Sequence, residues 1–489
     1  MNARFAVPTP KNEPVLNYAP QSLERAALKA RLTELKSRKA DIPLYIGSKE
    51  LRTGKTGECR PPHERGFLLG RYHEGGAREA LAAARAALAA RAEWAQTPFE
   101  QRAAIFLRAA ELLAGEFRQT LNAATMLAQS KNAYQAEIDA ACELIDFLRF
   151  NVHFAEQIYA EQPISPAGAW NRMEHRALEG FVFAVTPFNF TSIAGNLPSA
   201  PAVMGNTVVW KPAAAAVYTA SFIMELFKKA GLPDGVINMV SGPAAEISAA
   251  LLASPDLAGV HFTGSTAVFQ GMWSEVGANI RRYKTYPRLV GETGGKDFVV
   301  AHASADPEAL AVALLRGAFE YQGQKCSAAS RAYVPDSLWP KVKKLLREMA
   351  AEITLGSPED FSHFMNAVID EKAFEKIKGY IARAKKNPRC RLVSGGRSRD
   401  EEGFFIEPTI FETADPQAES MVEEIFGPVL TVHPYPEKKF AQTLALCEKT
   451  SPYALTGAVF AQDRRAAALA EKVLQNAAGN FYINDKPTG

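Results

Sequence analysis

Short apolar runs alternate with helical stretches through the middle of this chain, and this pattern constrains the fold more than any other feature. Four runs have the length and composition of buried parallel strands: FVFAVT (181–186), TVVW (207–210), VINMV (236–240) and GVHFT (259–263). Helical stretches begin between them, near Thr191, Thr219, Ala244 and Thr266. This alternation predicts a doubly wound parallel sheet, the usual platform for a dinucleotide.

A second alternating series begins at DFVVA (297–301) and continues to about residue 475. Its predicted strands include 330–334 and 456–460, and its predicted helices are 306–321, 336–352, 370–386, 438–449 and 463–475. The series predicts a second α/β domain. Because 489 residues are too many for one ordinary core, two or three domains are expected.

The chain before the first strand is predicted to be mainly helical. Residues 1–70 mix proline, glycine and charge, and they predict an irregular wrapping segment. Apolar spacing predicts helices at Gly76–Trp94, Gln101–Gly115 and Tyr134–Gln162. The proline-interrupted stretch 163–177 predicts a protruding hairpin.

Composition and charge exclude several classes of protein. Phe181 to Trp210 is uncharged and long enough to span a bilayer, but prolines and asparagines interrupt it, so a strand, a loop, a helix and a second strand fit better. The net charge of +3 gives no electrostatic case for nucleic acid. The five cysteines form no C-x-x-C pair and no Cys/His cluster, so no metal site is predicted. Without a secretory signal or a presequence, we expect a reducing compartment: the cytoplasm, or the mitochondrial matrix if the source is eukaryotic.

Cys326 is the candidate nucleophile. It lies in YQGQKCSAAS (321–330), where Gly323 lets backbone approach a ligand and Lys325 supplies positive charge. A thiolate is the strongest side-chain nucleophile near neutral pH, and a positive field favours it. Most cysteines are small buried hydrophobes, and that is our interpretation of the other four.

Two polar residues at strand boundaries are candidates for the same chemistry. Glu292, in GETGGKD (291–297), could act as a general base if partial burial raised its pKa. Considered alone, it would be a surface-loop glutamate. Asn189, in TPFNF (186–190), could donate to an oxyanion, although an N-cap of the following helix explains it equally well.

FTGSTAVF (262–269) reads as a strand end, a turn and a helix start. Backbone N–H groups at such a helix N-terminus favour a pyrophosphate. The G-x-G-x-x-G fingerprint is absent, so this segment alone is a weak indication.

Six motifs in chain order together resemble the aldehyde dehydrogenase superfamily: TPFNF, WKP, FTGS, GETGGKD, GQKCS and EEIFGPV. The resemblance covers nearly the whole chain. It implies two doubly wound α/β domains and a small β-hairpin used in oligomerisation. The implied boundaries are 1–162 and 178–296 for the N-terminal helical segment and dinucleotide-binding domain, 163–177 for the hairpin, 297–476 for the catalytic domain, and 477–489 for a return to the dinucleotide domain.

The resemblance also implies roles for individual residues. Cys326 would be the nucleophile, Glu292 would activate the deacylating water, and Asn189 would hold the oxyanion with the backbone N–H of Cys326. The implied cofactor contacts are Lys211 at the adenosine ribose, Gly264, Ser265, Thr266, Ala267 and Val268 under the pyrophosphate, Glu424 at the nicotinamide ribose, and Phe426 beside it.

Three segments resemble one branch of that superfamily, the 1-pyrroline-5-carboxylate dehydrogenases: 186–212, 319–335 and 480–489. Phe269 also fits that branch, and Ser327 matches its substrate-binding serine. The branch implies NAD-dependent oxidation of L-glutamate γ-semialdehyde, the hydrolysed form of 1-pyrroline-5-carboxylate, to L-glutamate. This is the second step of proline catabolism, performed by a homodimer or a higher homo-oligomer.

Two departures from the pattern leave alternatives open. The chain stops at Gly489, where the family continues with a glycine-rich loop and a final strand, and we expect that a trimmed chain explains this. Ala214 stands where many NAD-preferring members carry an acid, so NADP is the second choice of cofactor. The alternative functions are a semialdehyde dehydrogenase for another substrate, such as succinate semialdehyde, a non-catalytic structural relative, and an esterase that uses the same cysteine.

Overall fold

A computed structural model describes residues 6–487, which fold as two compact units. The first unit comprises the described residues up to Arg60 together with Phe67–Gln129 and Ala133–Thr293. The second comprises Pro61–Gly66, Ser130–Asn132 and the described residues from Gly294 onward. The ends of two predicted segments, residues 1–5 and 488–489, lie outside the described residues.

The first unit combines two sheets with helices that cover them. Its helices are α1 (Leu23–Ser37), α2 (Ala77–Gln96), α3 (Phe99–Ala114), α4 (Arg118–Gln129), α5 (Ala133–Ala136), α6 (Glu143–Ala160), α7 (Thr191–Val203), α8 (Val217–Ala230), α9 (Ala244–Leu252) and α10 (Thr266–Ala278). Its strands are β1 (Ala40–Ile42), β2 (Leu44–Ile46), β3 (Lys49–Leu51), β4 (Thr56–Cys59), β5 (Gly70–His73), β6 (Phe181–Thr186), β7 (Thr207–Pro212), β8 (Ile237–Met239), β9 (Leu257–Thr263) and β10 (Arg288–Glu292).

The main sheet of the first unit has the order β10-β9-β6-β7-β8-β2-β3. The strands from β10 to β8 are parallel, and β2 and β3 are antiparallel additions at one edge. The four predicted strands and the four helices between them are confirmed. The uncharged stretch folds as β6, α7 and β7, and no helix in the described part of the chain is both long and apolar enough to span a bilayer.

The prediction that residues 1–70 are irregular is wrong. Residues 6–70 contain α1, the four strands from β1 to β4 and the first residue of β5. The side chain of Ser22 caps α1 by accepting a hydrogen bond from the N–H of Arg25, and the helix buries Leu28, Leu32 and Leu35. Leucines at positions 28, 32 and 35 have the spacing of one helix face, so the sequence did indicate this helix among the charged residues around it.

The single helix predicted for Tyr134–Gln162 is interrupted. A π-helical turn, Glu137–Cys142, joins α5 to α6 and turns Glu137 into the interior, where it is fully buried. Its carboxylate accepts hydrogen bonds from the backbone N–H of Leu16 at 2.9 Å and from the hydroxyl of Tyr18 at 2.7 Å. Burial opposes ionisation, but these bonds and the Arg118 guanidinium hold the pKa of Glu137 below its ordinary value.

Arg118 connects this carboxylate to the N-terminal segment. Its guanidinium is ion-paired with both Glu137 and Glu13, and it also donates to the carbonyl of Pro14 at 2.7 Å. Because these groups are almost fully buried, the cluster depends on complete pairing rather than on hydration.

The second unit is built around another largely parallel sheet. Its helices are α11 (Pro307–Phe319), α12 (Trp339–Glu352), α13 (Glu371–Lys386), α14 (Glu419–Val422), α15 (Phe440–Thr450) and α16 (Arg464–Leu474). Its strands are β11 (Asp297–Ala301), β12 (Ala329–Pro335), β13 (Cys390–Ser394), β14 (Ser398–Arg399), β15 (Phe405–Ile406), β16 (Thr409–Thr413), β17 (Val429–Tyr435), β18 (Thr456–Phe460) and β19 (Asn480–Ile483).

The strand order of the second sheet is β13-β16-β17-β12-β11-β18-β19, and only β13 is antiparallel to its neighbour. The predicted strands β11, β12 and β18 and the five predicted helices are confirmed. Residues 477–489 were expected to return to the dinucleotide domain, but the described part of this segment, 477–487, belongs to the second unit. Asn480–Ile483 pairs in parallel with Thr456–Val459, and Phe481 packs against the core of the second unit.

The predicted hairpin at 163–177 is an exposed excursion that folds back on itself. The backbone N–H of Ala169 donates to the carbonyl of Pro166, and the N–H of Met173 donates to the side-chain oxygen of Gln162 at 2.9 Å. These fifteen described positions include no strand in this single chain. A function in oligomerisation stays a prediction.

Glu137→Ala should destabilise the protein strongly, because it leaves a buried guanidinium without one of its two carboxylate partners. Breaking such a pair costs about 3–5 kcal/mol in the free energy of unfolding. Urea unfolding followed by tryptophan fluorescence measures this loss. Glu419→Ala is the matched control, since its partner Arg383 is exposed and the midpoint should hardly move. Equal effects of the two substitutions would contradict the importance assigned to the buried cluster.

Candidate active site

One edge of the first-unit sheet collects four of the predicted site positions. The parallel strands β6, β7, β9 and β10 have their carboxyl ends at the same edge, where ligands bind in open α/β sheets. The positions at or directly after these ends are Asn189, Lys211, Gly264 and Glu292.

Asn189 is buried between the end of β6 and the start of α7. The residue at the N-cap of α7 is Phe190, so the N-cap alternative for Asn189 is wrong. The next residue, Thr191, is held at its hydroxyl by Thr125 and by the amide of Gln129, each at 2.9 Å. These bonds fix the turn that carries the Asn189 amide.

The predicted pyrophosphate turn opens α10. Ser265 is its N-cap residue, and the 13-residue helix begins at Thr266. The first N–H groups of a helix have no partner within the helix and carry its positive dipole end, so this turn suits an anion. Lys211, at the end of β7, is buried, and burial lowers the pKa of its ammonium group to about 8.

Glu292 is the last residue of the edge strand β10 rather than a loop residue. Its carbonyl accepts a hydrogen bond from the N–H of Gly264 at 3.2 Å, which joins the candidate base to the predicted pyrophosphate turn. Its side chain is solvent-accessible, yet partial burial raises the pKa of the carboxyl above that of an ordinary glutamate. A raised pKa suits a base that must accept a proton near neutral pH.

In the second unit, a pair of glycines brings Glu424 and Cys326 to the same place. The N–H of Gly295 donates to the Glu424 carboxylate at 3.0 Å. A Cβ on Gly294 would overlap that carboxylate, and a Cβ on Gly295 would overlap the carbonyl oxygen of Cys326. Both residues must therefore lack a side chain for this approach to occur.

Cys326 is partly accessible, whereas Cys59, Cys142 and Cys447 are buried. Burial raises the pKa of the Cys59 thiol to about 12 and that of Cys447 to about 11, so neither ionises near neutral pH. Cys390 is also partly accessible, but its thiol hydrogen-bonds to Thr413 on the neighbouring strand.

The loop before Cys326 has an unusual backbone. Tyr321, Gln322 and Gly323 all have positive φ, at 49°, 56° and 67°. For residues with a side chain this conformation costs about 1–2 kcal/mol each. The Gln322 side chain offsets that cost, since it accepts from the N–H of Asn366 at 3.0 Å and donates to the carbonyl of Ala367 at 2.8 Å.

A second glutamine holds the loop to the same segment. Gln324 accepts a hydrogen bond from the N–H of Ile369 at 2.9 Å through its side-chain oxygen. The two glutamine side chains therefore hydrogen-bond to the backbone of 366–369, and these bonds hold the loop that precedes Cys326. The sequence motif contains the two glutamines, but it does not indicate their hydrogen-bond partners, which lie more than forty residues later.

Sequence reasoning missed a group of buried charges around β11. Lys296 and Asp297 are almost fully buried, and burial moves the pKa of each to about 7, downward for the lysine and upward for the aspartate. The buried Arg331 donates to the carbonyl of Lys296 at 2.8 Å. Charged letters directly before an apolar strand, as in GGKDFVV, were the available signal.

Glu424 and Phe426 lie in the loop before β17. Burial raises the pKa of Glu424, and Lys376 donates to its backbone carbonyl at 3.3 Å. Phe426 has a φ of 60°, a left-handed conformation in which the loop turns sharply. Ser327 follows Cys326, and its carbonyl accepts from the hydroxyl of Thr456 at 3.4 Å.

Gln322→Met should loosen the loop before Cys326, because methionine keeps the length of the side chain and removes its hydrogen bonds. Leaving the buried N–H of Asn366 without a partner costs about 1–3 kcal/mol. Urea unfolding should show that loss, and hydrogen exchange should become faster in 365–369. Gln462→Met, at an exposed position of the same unit, is the control. Unchanged exchange in 365–369 would show that the glutamine does not secure the loop.

Comparison with known proteins gives a consistent result over the whole chain. The sequence model of the family described as "Aldehyde dehydrogenase family" matches residues 51–489. The mitochondrial delta-1-pyrroline-5-carboxylate dehydrogenase of Dictyostelium discoideum is 47% identical, over all of this chain and 88% of that protein. The protein of the same name from Homo sapiens is also 47% identical, over 98% of this chain and 85% of its own length.

Solved structures agree with the sequence comparison. The delta-pyrroline-5-carboxylate dehydrogenase of Mycobacterium tuberculosis, solved with NAD, superposes with a TM-score of 0.97 at 52% identity and covers 100% of this chain and 90% of its own. The 1-pyrroline-5-carboxylate dehydrogenase from Thermus, also solved with NAD, superposes with a TM-score of 0.92 at 30% identity and covers 99% and 92%.

Proposed function

This chain belongs to the aldehyde dehydrogenase family, and we propose that it oxidises L-glutamate γ-semialdehyde to L-glutamate with NAD, the second step of proline catabolism. The observation that carries this proposal is the similarity to enzymes of that name over essentially the full chain. In this proposal the first unit binds the dinucleotide and the second unit supplies the nucleophile.

The residues of the chain fit a nicotinamide dinucleotide. The pyrophosphate would lie on the backbone N–H groups from Gly264 to Val268, at the start of α10. Lys211 would donate to the adenosine ribose, and the Glu424 carboxylate would accept from the nicotinamide ribose beside Phe426. When bound, the dinucleotide accepts the hydride that the substrate carbon gives up. A carboxylate at position 214 would repel the 2′-phosphate of NADP. Because residue 214 is alanine, that repulsion is absent and NADP is the second choice of cofactor.

Cys326 is proposed to attack the aldehyde carbon as a thiolate. The new C–S bond makes a tetrahedral thiohemiacetal whose oxygen carries negative charge, and this charge needs hydrogen-bond donors. The Asn189 amide and the backbone N–H of Cys326 are the proposed donors. Loss of hydride restores the C=O bond and leaves a thioester on Cys326.

Glu292 is proposed to release the product. Its carboxylate takes a proton from water as the water oxygen attacks the thioester carbon, and the Cys326 thiolate leaves. The acid product, NADH and one proton balance the reaction. The substrate carries a carboxylate and an amine at its far end, and Ser327 is the proposed donor to that end.

The assembly and the compartment are proposals as well. The exposed excursion at 163–177 carries large apolar side chains, among them Trp170 at 80% exposure and Ile164 at 91%. Such side chains suit a contact with a second copy of the chain, so a homodimer or higher homo-oligomer is proposed. The proposed compartment is the cytoplasm, or the mitochondrial matrix in a eukaryotic source.

A panel of aldehydes tests the proposed substrate. NADH formation should show a higher kcat/KM for L-glutamate γ-semialdehyde than for succinate semialdehyde, because only the former presents the amine and carboxylate together. Cys326→Ala should abolish NADH formation while NAD binding survives, which would exclude a background reaction. Equal kcat/KM values for the two aldehydes would reject the assignment in favour of a general semialdehyde dehydrogenase.

Glu292→Gln should separate the two halves of the reaction. A pre-steady-state burst of NADH should remain, while steady-state turnover falls by roughly 100-fold or more, within the range attributed to general bases. Because burial raises the pKa of Glu292, the wild-type steady-state rate should increase with pH through a pKa above that of an ordinary glutamate. This step should disappear in the variant. Equal loss of burst and turnover would contradict the role.

A further inference from the structure

Three aromatic rings form a cluster beside β10, the strand that ends at Glu292. Phe262 of β9 stacks on Phe269 of α10, with ring centroids 5.3 Å apart and planes inclined by 17°. Trp273, one helical turn later, meets Phe269 edge-on at 6.5 Å and 79°. Such pairs contribute about 0.5–1.5 kcal/mol beyond the area they bury, so the stack fixes the orientation of the central ring.

The Phe269 ring lies directly against the backbone of Gly291. A Cβ added to Gly291 would overlap the ring. Ring and strand therefore fit only because residue 291 has no side chain, and the contact reaches the residue next to Glu292. At the other end of the stack, a Cβ on Gly264 would lie 2.7 Å from Cζ of Phe262.

The strand needs this support because it is the edge of its sheet. Among the described strands, β10 pairs only with β9, and Val290 is 59% exposed on it. An edge strand has backbone hydrogen bonds on one side only, so its end is less constrained than that of a central strand. The flat ring of Phe269 restrains the end of β10 from a second direction.

We propose that Phe269 is a positioning residue for Glu292. The inference rests on the proposed function, in which Glu292 activates the deacylating water. Phe269 is in the first turn of α10, and its N–H donates to the carbonyl of Ser265 at 3.2 Å. The helix whose N-terminus is proposed to hold the pyrophosphate therefore also holds the end of the strand that carries the base.

A reaction without cofactor isolates deacylation. p-Nitrophenyl acetate acylates a reactive thiolate with release of p-nitrophenolate, and water then hydrolyses the acetyl thioester to acetate. In Phe269→Ala the first burst of p-nitrophenolate should persist, while the following steady rate should fall about tenfold, since small misplacement of a catalytic group costs up to about 100-fold. Phe269→Tyr keeps the ring and should restore the rate. Phe154→Ala, which removes an exposed phenylalanine ring of α6 outside this stack, is the control.

A double-mutant cycle tests the contact itself. Gly291→Ala alone should slow deacylation, because its methyl group would displace the end of β10 from the ring. In the Phe269→Ala background the methyl group has room, so the additional effect should shrink to less than twofold. Independent, multiplicative effects of the two substitutions would overturn the proposal.

Further outcomes of these experiments are decisive. Wild-type deacylation in a folded Phe269→Ala protein, or an equal loss of burst and steady rate, would overturn the positioning role. If Phe269→Ala does not fold, Phe269→Leu fills similar space without a flat ring and must show the same split. A Phe269-dependent deacylation in a protein that oxidises no glutamate semialdehyde would reject the proposed substrate and leave the positioning role in place.

Discussion

Parallel strands that are buried on both faces leave the chain few places for polar chemistry. In the first unit β6 and β7 are almost continuously buried, and in the second β11 and β18 are fully buried. Polar side chains on such strands would lose hydration without gaining partners. The candidate reactive groups are therefore confined to strand ends. They lie at the carboxyl edge of the first sheet and at the amino edge of the second.

Glycine residues at those edges allow other groups to approach the backbone closely. Gly294 and Gly295 let the Glu424 carboxylate and the Cys326 backbone approach one dipeptide, and Gly291 lets an aromatic ring support the strand before Glu292. In each case the absent side chain is replaced by a neighbouring group rather than by solvent. An alanine at any of these positions would displace the neighbouring group.

Buried charge is the second recurring device. Glu137 and Arg118 pair completely and remain ionised, whereas Lys296 and Asp297 have pKa values moved to about 7 by burial. The difference follows from the number of partners. A buried carboxylate with several donors keeps its charge, while a buried ammonium group whose Nζ has no hydrogen-bond partner among the described residues loses its proton more readily than an ordinary lysine. The first arrangement anchors the N-terminal segment through Leu16 and Glu13.

Local periodicity was sufficient to predict both α/β series, and the strands β6, β7, β9, β11, β12 and β18 were placed to within a few residues. Apolar runs and glycine-bounded motifs can be recognised in the sequence because each is formed by residues that are adjacent along the chain. The motifs likewise located the candidate residues, among them Cys326, Glu292 and Glu424.

Tertiary structure alone decided the features that depend on residues far apart in the chain. The pairing of β19 with β18, the hold of Gln322 on Asn366 and the contact of Phe269 with Gly291 each join segments that no local pattern connects. The same holds for the π turn that buries Glu137, whose partners Leu16 and Tyr18 lie more than a hundred residues earlier. Sequence determined which residues could react, and packing decided their support and their pKa values, because burial and hydrogen bonding are properties of neighbours in space.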